Sequence, residues 1–358
     1  MEQQMADMQG QHSVSDDVDV SHWAVTAPFL TEPGMRWISD FVESDRHQFE
    51  VIPKAGAEVS WHTKKVARTG FGEWRDFSRT AARAMDYAVE TNGGVITVFP
   101  QLAAAAATRK RLRRLDRPLV AWFFNTTFNR DARLLVARQT LSTVDRFVVH
   151  SSIEIEAYAE QLRLPAERFV FAAAQYGGKV QTQEEDQSEP FVLATGSGAR
   201  DYRTFFEAMS MLDIPAKVVA GDRVLAGLTP PPNVEILSGV SGDEIKALMR
   251  KSRVNVIPMN GEGLTAGLVT IVLTFRHGRG IVVTDRPGID DYVKPDDNSL
   301  VVPMSDPRAM ADAIEAMYND ADLRDRLGQG AEAFAEAHCT DQAAAGALTR
   351  VLDAVVQA

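Results

Sequence analysis

The chain has 358 residues, 45% of them hydrophobic and 24% charged, the balance of a globular protein long enough for two cores. A formal net charge of −11 argues against nucleic acid as the main partner. The single cysteine, Cys339, can close no internal disulfide, which points to a reducing, cytoplasmic setting.

Residues 1–20 are acidic and polar, with no Lys or Arg before Arg36 and none of the apolar core of a signal peptide. Their composition predicts a disordered tail. Between residues 21 and 176, short apolar runs recur at His22–Phe29, Phe49–Ile52, Gly94–Phe99, Pro118–Phe124, Arg146–His150 and Arg168–Ala172. Helical periodicity lies between them at Arg75–Thr91 and Ile153–Leu162, and strands alternating with helices predict a layered α/β domain with a mostly parallel sheet. The run Ala103–Ala107 is strong helix former. It leads into Arg109, Lys110, Arg111, Arg113 and Arg114, cations that suit a helix C-terminus and equally suit contact with anionic membrane head groups.

Residues 177–189 are polar, glycine-led and acidic, the composition of a linker. A second α/β pattern then runs over 190–335. Strands are predicted at Phe191–Thr195, Ala216–Ala220, Val234–Leu237 and Val254–Pro258, with helices at Tyr202–Met211 and Asp243–Lys251. The segment 261–303 reads as a glycine-rich turn, a helix opening near Gly267, a buried strand at Ile281–Val283 and a further strand. A glycine turn that feeds a helix N-terminus can hold a phosphate, because backbone N–H groups and the helix dipole both point at the anion. Helices are predicted at Pro307–Met317 and Leu323–Gln357, the last part of which, 336–358, is set apart as a terminal helix. His and Cys spacing gives no zinc pattern and no paired aspartates stand out, so no metal or other cofactor is expected.

The segment 261–303, together with the strand, glycine turn and Arg-Asp-Tyr-x-Thr of 191–208, resembles the donor-sugar half of GT-B glycosyltransferases, particularly bacterial family 4. The resemblance implies two Rossmann-like domains with the active site in the cleft between them and a C-terminal helix crossing back to the first. It implies a retaining, hexosyltransferase-type enzyme of bacterial surface polysaccharide assembly. Such an enzyme takes a nucleotide-sugar donor and a glycan or lipid-linked acceptor at the inner face of the membrane. It places the donor against Gly196, Ser197, Gly198, Arg200, Gly239, Val240, Glu262, Thr265, Ala266, Gly267, Leu268 and Thr270. The first domain is then expected to face donor phosphates and acceptor with the loop holding Pro33 and Gly34, and to present polar groups at the strand ends Asn125 and His150. Two positions depart from the family pattern. Ser197 stands where a basic residue is common, and the two family glutamates fall on Thr265 and Leu273. Leucine accepts no hydroxyl hydrogen bond, so a degenerate member that binds a partner without catalysis is the alternative reading.

Overall fold

A computed structural model describes residues 20–56, 70–126, 132–178, 185–261, 263 and 265–357. The predicted tail (but for residue 20), the centre of the predicted linker and Glu262 lie outside these residues. Strands β1 (Ser21–Thr26), β2 (His47–Val51), β3 (Gly94–Val98), β4 (Leu119–Trp122), β5 (Arg146–Val149) and β6 (Phe169–Phe171) form the first sheet, ordered β2-β1-β3-β4-β5-β6. Strands β7 (Val192–Thr195), β8 (Ala216–Val219), β9 (Val234–Leu237), β10 (Val254–Ile257), β11 (Ile281–Thr284) and β12 (Ser299–Val302) form the second, ordered β12-β11-β10-β7-β8-β9. Every strand pair is parallel. Strands covered by helices on both faces are mostly apolar, and all five residues of β3 and all four of β4, β7, β10 and β11 are buried.

Helices α1 (Phe71–Glu90), α2 (Pro100–Arg113), α3 (Ala132–Leu141) and α4 (Ile153–Leu162) connect the first sheet. Helices α5 (Tyr202–Met209), α6 (Asp222–Leu225), α7 (Gly242–Lys251), α8 (Leu268–Arg276) and α9 (Pro307–Asn319) serve the second, followed by α10 (Ala321–His338) and α11 (Asp341–Val356). The chain order reverses between β1 and β3 in one sheet and between β7 and β10 in the other. Crevices at the carboxyl ends of such strand pairs are where open α/β sheets bind ligands.

The predicted strands all form. One predicted helix does not survive intact: Leu323–Gln357 is broken at Cys339, where Thr340 caps α11 by accepting the Ala343 N–H at 3.1 Å. Helix α3 lies in a stretch where the sequence pattern predicted no element. The break turns α11 back onto the first sheet, where Ala344, Leu348, Val351 and Leu352 join Trp23, Trp37 and Trp122 in one core. A relay fixes this return: Trp23 Nε1 donates to His47 Nδ1 at 3.2 Å, so His47 Nε2 carries the proton offered to Asp353 at 3.1 Å. Cys339 is buried beside the break, and burial pushes its thiol up to about 12, which makes it a poor nucleophile.

Candidate active site at the facing sheet edges

The second sheet builds an anion-directed edge. After β7 the chain turns at Gly196, whose φ of +105° puts it where a side chain is strained, and a Cβ there would lie 2.6 Å from the Arg200 guanidinium. That turn lets Arg200 fold back beneath the sheet edge, only 6% exposed. Its Nε donates to Thr195 O at 2.9 Å, Nη1 to Gly198 O at 2.8 Å and Nη2 to Thr270 Oγ1 on α8 at 2.9 Å. Gly267 opens α8 with a φ of +93°, and a Cβ there would sit 3.0 Å from Met259 and 3.6 Å from Arg200 Nη1. The loops after β7 and β10 are stitched together by Asp201 N to Pro258 O and Asn260 N to Ala199 O, both 3.0 Å. Among the described residues no carboxylate pairs with Arg200, and burial, with Arg286 adding like charge, lowers its pKa. A buried, uncompensated cation beside a helix N-terminus is a strong electrostatic demand for an anion.

The first sheet builds an edge of rings. Phe29 follows β1, Phe99 follows β3, Phe123 follows β4 and His150 follows β5, so four neighbouring strands each present an aromatic group. Their centroids step across the edge at 6.3 Å, 5.2 Å and 4.2 Å. Phe99 and Phe123 hold φ of +73° and +55°, left-handed conformations that cost a bulky residue of order 1–3 kcal/mol. His150 is 3% exposed; its Nδ1–H donates to Ala172 O at 2.7 Å, and its Nε2 has no partner among the described residues. Burial lowers its pKa to about 4, so the ring is neutral near pH 7 and Nε2 is a bare acceptor.

The two edges meet. Asn125 Nδ2 donates to Thr265 Oγ1 at 2.6 Å, and Ser151 Oγ and the Ser152 N–H donate to Asp291 at 3.0 Å and 2.7 Å. Tyr292 OH donates to His150 O at 2.6 Å and accepts Ala174 N–H at 2.8 Å. Glu154, on the first turn of α4, is 1% exposed at this junction, and its Oε1 accepts the Tyr158 hydroxyl at 3.0 Å. Burial pushes Glu154 up to about 7. The sequence reading missed this residue. Its only signal was a glutamate three residues after Ser151, which reads as an ordinary helix-capping pattern.

No curated protein sequence matches the chain. Residues 192–320 match the family model described as glycosyl transferases group 1. Solved structures align over nearly the whole chain. A glycosyltransferase from Rickettsia africae is 12% identical over 94% of this chain and 99% of its own, with TM-score 0.65. A sucrose-phosphate synthase from Thermosynechococcus elongatus is 15% identical over 93% and 99%, with TM-score 0.66. HepE from Anabaena, solved with UDP-glucose, is 13% identical over 93% and 99%, with TM-score 0.64. The chain has the GT-B fold.

Within this GT-B frame the predicted donor residues divide. Gly196, Ser197, Gly198, Arg200, Thr265, Ala266, Gly267, Leu268 and Thr270 gather around the β7 and β10 ends, and Ser197 Oγ accepts the Gly221 N–H at 2.9 Å. Arg200 turns its guanidinium onto the chain itself, donating to Thr195 O, Gly198 O and Thr270 Oγ1. Gly239 and Val240 follow β9, and Val240 and Leu273 both pack against the buried apolar cluster of Phe191, Leu193, Val219 and Met249. Leu273 therefore carries packing at the place where the family pattern implies a carboxylate. Pro33 and Gly34 are exposed on the loop after β1. The basic cluster is smaller than its sequence: Arg109 pairs with Asp86 at 2.6 Å and Lys110 with Asp145 at 2.7 Å. Arg111, Arg113 and Arg114 stay exposed around Leu112, which is 78% exposed.

Proposed function

We propose that the chain transfers a sugar from a nucleotide-sugar donor to a glycan or lipid-linked acceptor. The observation that carries this reading is the buried Arg200 guanidinium, without a carboxylate partner among the described residues, set at the β7–β10 switch point beside the start of α8. The donor diphosphate supplies the missing negative charge, held by the α8 N-terminus, the backbone of 196–199 and the electrostatic field of Arg200. As the sugar–phosphate bond breaks, the same groups stabilise the departing nucleoside diphosphate. The acceptor hydroxyl forms the new bond to the sugar and its proton passes to the departing phosphate. Retention of configuration follows from the family resemblance, and no metal is assigned a role.

The row of Phe29, Phe99, Phe123 and neutral His150 favours an acceptor that presents a ring face. The C–H face of a pyranose is attracted to an aromatic face, whereas a charged acceptor finds no countercharge among these four groups. Arg111, Arg113 and Arg114 with Leu112 supply a basic, partly apolar surface for peripheral contact with anionic lipid at the cytoplasmic face, the setting of surface polysaccharide assembly. Thermal unfolding against a panel of nucleotide sugars tests the donor reading: one donor raises Tm, and no shift with any at millimolar concentration refutes it. Leu273 favours a second reading, a GT-B protein that binds a nucleotide or partner without transfer. Release of nucleoside diphosphate only in the presence of a glycan acceptor separates the two.

A further inference from the structure

One short segment of the second half holds the end of β5 in the first. Residues 288–292 lie between β11 and β12, and they meet three consecutive residues that follow β5. Tyr292 OH donates to His150 O at 2.6 Å. Ser151 Oγ lies 3.1 Å from Gly288 O and 3.0 Å from Asp291 Oδ2, and the Ser152 N–H donates to Asp291 Oδ2 at 2.7 Å. The Tyr292 hydroxyl also accepts the Ala174 N–H at 2.8 Å, in the stretch that leads from the first sheet to the second.

Both sides of this joint are anchored. In the second half the Tyr292 and Val293 N–H groups turn back to Ile289 O at 2.9 Å and 2.8 Å, and Asn298 Nδ2 donates to Tyr292 O at 2.9 Å. Ile289, Tyr292 and Val293 are buried in one core with residues of α8 and α10. In the first half, Ser152 is the N-cap of α4, but its own side chain caps none of that helix's N–H groups. Asp291, 139 residues further along the chain, brings a carboxylate to that N-terminus, where the orphan donors and the helix dipole favour it.

The joint holds part of the ring-lined edge. His150 is fixed at its carbonyl by Tyr292 and at its ring by Nδ1–H to Ala172 O at 2.7 Å. Its ring packs at 4.2 Å on Phe123, which touches the apolar cores of both halves. The last two rings of the row are therefore placed by the second half as well as by the first sheet.

We propose that Asp291 and Tyr292 are positioning residues for sugar transfer: by holding the end of β5 they set His150 and Phe123 at their working distance from the donor edge. The inference rests on the donor reading above. It adds that these two residues act on the transfer step through the acceptor edge and leave donor binding to the β7 and β10 ends.

The test compares three variants of the full chain. Tyr292→Phe removes the phenol oxygen and keeps the buried ring, Asp291→Ala removes the cap, and Asp291→Asn keeps an acceptor oxygen for the Ser152 N–H. Small-angle scattering of the ligand-free protein reads the separation of the halves, and calorimetry with the nucleotide sugar that gives the largest Tm shift reads donor affinity. Release of nucleoside diphosphate from that sugar, to water and to a panel of glycans, reads turnover. Tyr292→Phe and Asp291→Ala are expected to expand the protein and lower kcat about tenfold, with donor Kd kept within about twofold. Asp291→Asn is expected to recover most of the lost kcat. Wild-type kcat in both disruptive variants, at a temperature where they are folded, overturns the proposal, and so does an equal loss of donor affinity. Expansion with no nucleotide sugar bound upholds the joint and refutes the donor reading instead. If Tyr292→Phe does not fold, the two Asp291 variants decide the matter, because that side chain is only half-buried.

Discussion

The two sheets share parallel topology and a switch point at the carboxyl edge, yet their edges are chemically opposite. The second edge spends glycines to bring backbone and a buried guanidinium together. The first spends strained backbone at Phe99 and Phe123 to hold rings in a row. One fold principle thus supports two chemically different edges, and in the proposed function the loops make one a place for a diphosphate and the other a place for an uncharged ring.

Breaking the anion edge gives the largest expected effect. Arg200→Lys keeps the charge but cannot span Thr195 O, Gly198 O and Thr270 Oγ1, so nucleotide-sugar affinity should fall about 100-fold by calorimetry. It should also cost about 2–3 kcal/mol in urea unfolding, as buried carbonyls lose donors. Gly267→Ala should lower stability by about 1–3 kcal/mol, since it combines a positive φ with contact against Met259.

The junction sharpens the comparison through pH. Glu154 is raised from 4.5 to about 7, so its contribution to stability is fully present below about pH 4.5 and is lost as pH rises through 7. His150 is lowered from 6.5 to about 4, so its contribution is present above about pH 6.5 and is lost as pH falls through 4. Each amounts to roughly 3 kcal/mol. The slopes oppose, and wild-type stability should change little between pH 4.5 and 6.5. Glu154→Gln should then gain stability with rising pH across that window, and His150→Asn should lose it, as read by unfolding at fixed denaturant.

Phe99→Ala removes a ring from the acceptor edge only. It should raise the acceptor KM about tenfold and leave donor affinity within about twofold; an equal loss of both would show that the edges are not separate. The smallest effect belongs to the basic cluster. Changing Arg111, Arg113 and Arg114 to Glu should reduce sedimentation with anionic vesicles by about 1 kcal/mol per residue. Arg109→Ala, already paired with Asp86, should change it little.

The strands and the glycine turns after β7 and before α8 were legible in sequence because buried parallel strands and glycine turns have local signatures. The order of the strands and the return of α11 were not, since both depend on distant contacts such as His47 with Asp353. Arg200 was found as a cation near the glycine turn after β7, but its burial was invisible, because nothing local says where an arginine fork will direct its donors. The burial of Glu154 was hidden for the same reason, since the start of α4 is met by Asp291 from the other half of the chain. The basic run was legible as charge, whereas the pairing of Arg109 and Lys110 with Asp86 and Asp145 was not, because it is set by helix packing.

The most direct test of the account is calorimetric titration of wild type and Arg200→Lys with the nucleotide sugar that stabilises the chain most. Binding in the micromolar to submillimolar range, lost about 100-fold in the variant, is the predicted result. No heat of binding at millimolar donor, or equal affinity in the two proteins, would contradict it.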